Sequence, residues 1–185
     1  MKATGIVRRI DELGRVVIPK EIRRTLKIRE GDPLEIFTDR EGEIILKKYS
    51  PIGEMSDFAR ELAESLSKTL GHTALVCDRD AIIAAAGFSK KDYCDKAISK
   101  EVEELMNHRK AYTASRRCGI APKAVLNEET DGSLYISQVI VPVINEGEAS
   151  GAVLMISKQA DINFSETELK VAQTAACFLA KQMEQ

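Results

Sequence analysis

Residues 4–19 have the sequence TGIVRRIDELGRVVIP, and this stretch decides the fold of the N-terminal part of the chain. Apolar and polar side chains alternate over 4–10, which is typical of a β-strand. Residues 11–14 have the composition of a turn. A second strand over 15–18 ends at Pro19, which cannot donate to a β ladder. A β-hairpin is therefore predicted at the start of the chain.

The following residues extend a β-rich first domain. A short basic helix is predicted over 20–27, and strands over 34–37 and 44–46 are expected to pair around a polar turn. Proline and glycine at 50–53 mark a boundary, because the pattern changes there from strand-like to helical. We therefore assign 1–50 to a β domain, 51–55 to a linker and 56–185 to a second domain.

Charge divides the chain in a similar place. The 27 basic and 29 acidic side chains give a formal net charge of −2. Residues 1–29 contain nine basic and three acidic side chains, a local charge of +6, which leaves −8 for the rest of the chain. Such an asymmetry is typical of an anion-binding head on an acidic body.

The predicted basic helix carries much of this charge. At 3.6 residues per turn its four basic side chains share one face, opposite Ile22 and Leu26, which we expect to anchor it to the sheet. Arg8, Arg9 and Arg15 lie on or beside the first two predicted strands. Like charges three and four residues apart repel, and a polyanion would relieve that repulsion. Charge spacing alone leaves open both a solvated surface and a surface that contacts phosphates and bases.

Assembly is expected from the size of the first domain. About 50 residues with short strands bury too little apolar surface to be stable alone. The four cysteines are far apart and form no C-x-x-C pair, so neither a metal site nor a disulfide is indicated. Oligomerisation is therefore the expected source of stability, and a two-fold dimer would duplicate the basic cluster along a duplex.

Residues 1–50 resemble the AbrB family of bacterial transition-state regulators. The resemblance is carried by 4–19, by RRTL at 23–26 and by IILKKY at 44–49. It implies a swapped-hairpin β-barrel, in which two chains interleave into one dimeric head that binds double-stranded DNA. The DNA contacts that it implies are Arg8, Arg15, Arg23 and Arg24, with Arg9 beside them. Related folds serve as antitoxins, so the alternative function is an antitoxin-type protein-interaction module.

The second domain has its own pattern of elements. The predicted order is a helix over 56–70 ended by Gly71, strands over 73–77 and 81–86, a broken helix over 91–109, strands over 134–143 and 151–157, and a helix opened by a capping box at Ser165. This order predicts an α+β layered sandwich. It is similar to the order of elements in GAF domains, which are small sensor modules.

The final helix offers two packing roles. Small and apolar side chains recur along it at intervals of three and four residues, at Leu169, Ala172, Ala176, Leu179 and Met183. Such a seam suits packing against a helix of another subunit, and it equally suits covering the domain's own sheet. The whole chain resembles AbrB-type regulators with a GAF domain. That resemblance implies a homotetramer joined through GAF helices and control of sporulation genes, by activation or repression, in the forespore.

The sequence also indicates what we do not expect. It contains no phosphate-loop, dinucleotide, nucleophile-elbow or zinc-protease motif, so we expect no enzyme, no catalytic residue and no metal. No apolar run approaches the roughly 20 residues that span a bilayer, and no signal peptide is evident, so we expect a cytoplasmic protein without a membrane partner. We expect no cofactor, although a long loop over 115–132 can cover a pocket for an unidentified small-molecule GAF ligand.

Overall fold

The structure, a computed structural model, describes residues 5–88 and 90–184. The chain divides into two compact units, Met1–Tyr49 and Ser50–Gln185.

The N-terminal unit contains one short helix and one β-hairpin. Helix α1 spans Lys20–Thr25, and strands β1 (Leu34–Thr38) and β2 (Ile44–Lys48) pair antiparallel. Pro19 precedes the helix with φ −57° and an extended ψ of 148°, which is the entry geometry that proline favours. The hairpin and the helix lie where the sequence predicts them.

The prediction of strands over 4–10 and 15–18 is wrong for the single chain. Thr4 lies outside the described residues, and 5–19 contain no β ladder. Only the turn is closed, by Asp11 N–H donating to the Arg15 carbonyl at 3.0 Å and Gly14 N–H donating to the Asp11 carbonyl at 3.0 Å. A strand requires a neighbouring backbone to pair with, and none of the strands described in this unit pairs with these residues.

The C-terminal unit is built on a five-stranded antiparallel sheet with the order β4-β3-β7-β6-β5. Its strands are β3 (Thr73–Cys77), β4 (Ile82–Ala86), β5 (Tyr112–Ser115), β6 (Ser137–Asn145) and β7 (Glu148–Ser157). Its helices are α2 (Pro51–Glu54), α3 (Ser56–Leu70), α4 (Lys100–Asn107) and α5 (Glu166–Gln182). The predicted α+β class is confirmed.

Strand alternation gives the sheet two apolar faces, each with its own core. Val76 and Val153 point to the face covered by α3 and α5. Their strand neighbours Leu75 and Leu154 point to the opposite face, against α4 and the loops beside it. The sequence pattern missed β5, which has only four residues. It also overextended the helix over 91–109, of which Lys100–Asn107 forms α4 behind a Ser99 cap.

The segment predicted as a linker over 51–55 is instead part of the C-terminal unit. Pro51–Glu54 forms α2, and the Ser50 hydroxyl accepts a hydrogen bond from Gly53 N–H at 3.0 Å. Ile52 is fully buried in the core under α3 and α5. The prediction failed because proline and glycine mark both linkers and helix starts, and only the packing of Ile52 separates the two.

The apolar seam of α5 faces the domain's own sheet. Ala172, Ala176 and Leu179 are buried, and Leu169 and Met183 pack against the same core. Of the two roles left open by the sequence, covering the sheet is therefore the one that the structure shows for this seam.

Candidate nucleic-acid interface

Helix α1 presents two of the predicted arginines in different environments. Arg24 is exposed. Arg23 is partly buried, and its Nε atom is buried without a hydrogen-bond partner among the described residues. Ile22 is partly buried as expected, but Leu26 is 56% exposed, so the predicted apolar anchor consists of only one of the two side chains in the single chain.

The other three arginines belong to the segment before α1. Arg8 and Arg9 are exposed. Arg15 is also exposed, and its Nε donates to Asp11 Oδ2 at 2.8 Å across the turn. The other oxygen of Asp11 accepts backbone N–H bonds from Leu13 at 3.0 Å and from Arg15 at 2.8 Å. The backbone and guanidinium bonds from Arg15 lower the pKa of Asp11, so this carboxylate stays charged and holds the turn.

The arginines retain most of their capacity to bind an anion. Within the described ranges, no carboxylate lies within 4 Å of Arg8, Arg9, Arg23 or Arg24 in an ion pair. Arg15 has one exposed carboxylate partner, and exposed ion pairs of this kind are weak. The exposed side chains of Arg8, Arg9 and Arg24 thus remain available to phosphate and base-edge acceptors, whereas Arg23 is partly buried in the single chain.

A contact that the sequence did not reveal fixes the end of the helix. Lys48 Nζ donates to the Lys27 carbonyl at 3.0 Å and forms an ion pair with Asp32 Oδ2 at 3.5 Å. The same Asp32 oxygen accepts the backbone N–H of Arg29 at 2.8 Å. Because Lys27 has a left-handed φ of 53°, the chain turns sharply just after α1. Residues 21 positions apart meet here, and no local sequence pattern predicts such a pair.

The N-terminal unit has almost no core of its own. Among residues 5–49, Pro19 is the only one that is buried. The exposed large apolar side chains are Ile6, Val7, Ile10, Leu13, Val16, Val17, Leu26, Ile36, Phe37, Ile44, Ile45, Leu46 and Tyr49. Val7 is 88% exposed and Ile44 is 69% exposed, although both occupy apolar positions of predicted strands. Exposed apolar side chains in this number are typical of an interaction surface.

The described residues contain neither a metal-binding cluster nor a membrane-spanning helix. In the part of the chain that the structure describes, no group of three or more His, Cys, Asp or Glu side chains is placed to hold a metal ion. Within the same residues, no helix has the length and apolar character needed to cross a membrane. All four cysteines are free, Cys77 and Cys94 buried or partly buried and Cys118 and Cys177 exposed.

Comparison with known proteins identifies both units. The C-terminal unit resembles the GAF domain of an Acinetobacter phosphoenolpyruvate-protein phosphotransferase, with a TM-score of 0.55 at 16% identity over 70% of this chain and 82% of that one. The N-terminal region is 61% identical over 69 residues to the transition state regulatory protein AbrB of Bacillus subtilis, covering 34% of this chain and 71% of AbrB. Residues 7–54 also match the family model described as antidote-toxin recognition MazE, bacterial antitoxin.

An AbrB-like head followed by a GAF-like domain defines a two-domain transcription regulator. The full chain is 54% identical over 185 residues to stage V sporulation protein T of Bacillus subtilis, covering 100% of both proteins. Residues 54–184 match the family model described as stage V sporulation protein T C-terminal, transcription factor. The chain belongs to the stage V sporulation protein T family. The antitoxin alternative is not favoured, because the antitoxin model matches only residues 7–54, whereas the full chain aligns with a sporulation protein.

Proposed function

We propose that this protein is a sequence-specific DNA-binding regulator of sporulation genes, and that it binds the duplex through five arginines of its N-terminal unit. The proposed contact residues are Arg8, Arg9, Arg15, Arg23 and Arg24. The observation that carries the proposal is the absence of carboxylate partners for four of these groups within the described residues. Arginine donates two parallel bonds to phosphate or to guanine, which suits both positioning and base recognition.

The active head is an interleaved dimer. Support comes from the exposed apolar side chains of the N-terminal unit and from the lack of a ladder partner for residues 5–19. A second chain would pair these segments and bury Val7, Val17 and their neighbours. Burial of apolar surface is worth about 25 cal/mol per Å², so a shared core would supply the stability that a single head lacks.

The C-terminal unit joins dimers into a tetramer. The supporting surface is an apolar groove between α3 and α5, which we call the α3/α5 groove and which is lined by Leu62, Leu66, Val171, Thr174, Ala175 and Phe178. Phe178 is 48% exposed, and its ring packs on Phe58 with centroids 5.5 Å apart. A second copy of this groove would cover both aromatic rings. This surface differs from the predicted α5 seam, which is already buried.

The proposed function includes a cellular location for the regulator and a role for its GAF-like unit. The family relation to a sporulation protein supports action during sporulation. We place this action on the chromosome in the bacterial cytoplasm, and specifically in the forespore. The GAF-like unit either senses a small molecule or sets the assembly state, and it catalyses no reaction. The sign of regulation is set by where the head binds relative to a promoter.

Salt-dependent DNA binding tests the proposed contacts. Full-length wild type, Arg23→Ala and Arg24→Ala are titrated with duplexes that the wild type enriches from genomic fragments. Each substitution should weaken binding, and each lost phosphate contact should reduce the log–log salt slope by about 0.9. Arg60→Ala is the matched control, because Arg60 is an exposed arginine of α3 that pairs with Asp57. Unchanged affinity and slope in both head variants would refute the site, and a wild type without duplex affinity would refute the function.

A further inference from the structure

The chain passes from the N-terminal to the C-terminal unit between two residues that are both anchored. Tyr49 is the last residue of the N-terminal unit, and its N–H donates to the Pro33 carbonyl at 3.1 Å, next to the start of β1. Ser50 is the first residue of the C-terminal unit, and its hydroxyl donates to Asp78 Oδ2 at 2.8 Å. No flexible tether therefore separates the point at which the chain leaves the head from the point at which the C-terminal unit holds it.

The Ser50 hydroxyl has a second partner in α2. It accepts the Gly53 N–H at 3.0 Å and so caps the first turn of that helix. A helix of four residues that includes a glycine is not stable by itself. Ile52 holds the middle of α2 in the core, because its side chain is fully buried. Ser50 holds the beginning of α2, to which the head is attached.

Asp78 lies in the turn between β3 and β4 and joins this turn to the beginning of α2. Its Oδ1 accepts the backbone N–H groups of Asp80 and Ala81, each at 2.8 Å. Its Oδ2 accepts the Ser50 hydroxyl. Hydrogen bonds to a carboxylate are shorter and stronger than those between neutral groups, so one side chain fixes both the turn and the entry of the chain.

The same turn is bonded to both ends of α4. Ile98 N–H donates to the Asp80 carbonyl at 3.0 Å, directly before Ser99, which caps α4. At the other end of α4, Asn107 Oδ1 accepts a hydrogen bond from the Arg79 guanidinium at 3.0 Å. A displacement of α4 therefore acts on the turn that carries Asp78.

Helix α4 is bonded in turn to the loop over 115–132. The Ser99 hydroxyl donates to the Ala124 carbonyl at 2.6 Å, and the Glu101 carboxylate accepts the Ala124 N–H at 2.6 Å. Gln138 of β6 is fully buried and exchanges two hydrogen bonds with the backbone of Lys123, at 2.9 and 3.0 Å. Hydrogen-bonded and covalently linked groups thus run without interruption from this loop through α4 and the β3–β4 turn to Ser50.

We propose that the Ser50–Asp78 hydrogen bond is a latch through which the C-terminal unit controls DNA binding by the head. The inference rests on the proposed function of the protein as a DNA-binding regulator. In the closed state Ser50 is held on the β3–β4 turn, and the entry of the chain is ordered before DNA binds. In the open state the first turn of α2 unwinds and the chain before Ile52 is free, so DNA binding must order it again. An event that displaces α4, such as ligand binding or assembly, shifts the balance between the two states.

DNA affinity and amide exchange of full-length variants test the latch. Ser50→Asp should open it, because two carboxylates at hydrogen-bonding distance repel. We expect the Gly53 amide to exchange faster with solvent and the DNA affinity to fall about tenfold, a typical strength of coupling between two sites. The urea midpoint of the C-terminal unit should change little, because the sheet and both of its cores remain packed. Ser50→Ala, which loses both hydrogen bonds without adding a charge, should shift exchange and affinity in the same direction.

A compensating substitution separates the latch from a general loss of stability. Combining Ser50→Asp with Asp78→Asn lets the amide at 78 donate to the carboxylate at 50, while its oxygen still accepts the two backbone N–H groups of the turn. This double variant should recover DNA affinity to within about twofold of the wild type. Ser56→Asp is the matched control, since it makes the same change at an exposed position of α3 and should leave affinity and exchange unchanged.

A second cycle of variants tests the connection to α4. Ser99→Ala removes the cap of α4 and the bond to Ala124, so it should speed Gly53 exchange and weaken DNA binding in the wild-type background. In the Ser50→Asp background it should have no further effect on DNA affinity, because the latch is already open. Additive effects would show that α4 does not act through Ser50 and would overturn the proposed control.

The latch itself is overturned if Ser50→Asp leaves Gly53 exchange unchanged, or if it speeds exchange without lowering DNA affinity. It is also overturned if the double variant binds DNA as weakly as Ser50→Asp does. A wild type that does not bind DNA refutes the proposed function and the latch together. A wild type that binds DNA, with variants that bind equally well, refutes only the latch.

Discussion

The Asp11 carboxylate holds Arg15 at two points: Oδ1 accepts the Arg15 backbone N–H and Oδ2 accepts the Arg15 Nε, each at 2.8 Å. These bonds form best with the ionised carboxylate, so they lower the Asp11 pKa below its ordinary value of 3.8. For a group whose pKa falls on folding, the stabilisation is present above the unfolded pKa and is lost as pH falls through the folded one.

We therefore predict that the turn stays ordered down to below pH 3.8. The amide resonances of Leu13 and Arg15, followed by NMR as pH is lowered, should move together with a midpoint below that value. Asp11→Asn should abolish this transition, because the amide cannot titrate. A midpoint at or above 3.8 would show that the Arg15 contacts do not favour the charged carboxylate.

A charge placed in the proposed dimer surface should separate the two chains. Val17 is 68% exposed in the single chain, and interleaving would bury it. Val17→Asp should raise the dimer dissociation constant by about a hundredfold or more, because an unpaired buried charge is costly, and DNA affinity should fall with it. Sedimentation equilibrium measures the first effect. The conservative variant Val17→Ile should remain dimeric, and retention of the dimer in Val17→Asp would place the interface elsewhere.

The α3/α5 groove should control the step from dimer to tetramer. Phe178→Asp should reduce the sedimenting mass of the full-length protein from tetramer to dimer while leaving the head assembled, since Phe178 is an exposed aromatic side chain that lines the groove. Gln173→Asp places the same charge at another exposed position of α5 and should leave the tetramer intact. A wild type that sediments as a dimer, or a Phe178→Asp variant that remains tetrameric, would contradict this assignment.

Gly151 should be intolerant of a side chain because β7 passes close to β3 and α2. A Cβ on Gly151 would lie 2.0 Å from the Cys77 carbonyl oxygen and 2.5 Å from Ile52 Cδ1. We expect Gly151→Ala to destabilise the C-terminal unit by about 1–3 kcal/mol or more, measured by urea unfolding. Ser150→Ala, at the adjacent and only partly buried position, should change the stability much less. Equal effects of the two variants would argue against close packing at Gly151.

Sequence motifs predicted the helix ends correctly where the stabilising hydrogen bonds join residues close together in the sequence. The capping box at Ser165 is present, with the Ser165 hydroxyl accepting the Thr167 N–H at 3.1 Å and Glu168 accepting the Ser165 N–H at 2.6 Å. Gly71 ends α3 with a left-handed φ of 72°, as predicted. Both motifs depend on residues within one helical turn, so the sequence contains all their information.

Distant contacts were not predictable in this way. Lys48 reaches the Lys27 carbonyl at the end of α1 across 21 residues, and Ser99 donates to the Ala124 carbonyl across 25 residues. Tyr93 and Lys158 line the same cleft although they are 65 positions apart, and no local sequence pattern predicts this. Only the folded sheet brings them together.

The sequence by itself determined the two-domain order, the basic head and the α+β class, because alternation, helical period and charge are properties of neighbouring residues. Tertiary structure alone decided that Ile52 belongs to a core, that the α5 seam covers its own sheet and that Lys158 lies over the rings of Tyr93 and Tyr135. These outcomes depend on which apolar surfaces meet when the chain compacts, and side-chain packing across distant segments is not encoded in any short stretch of residues.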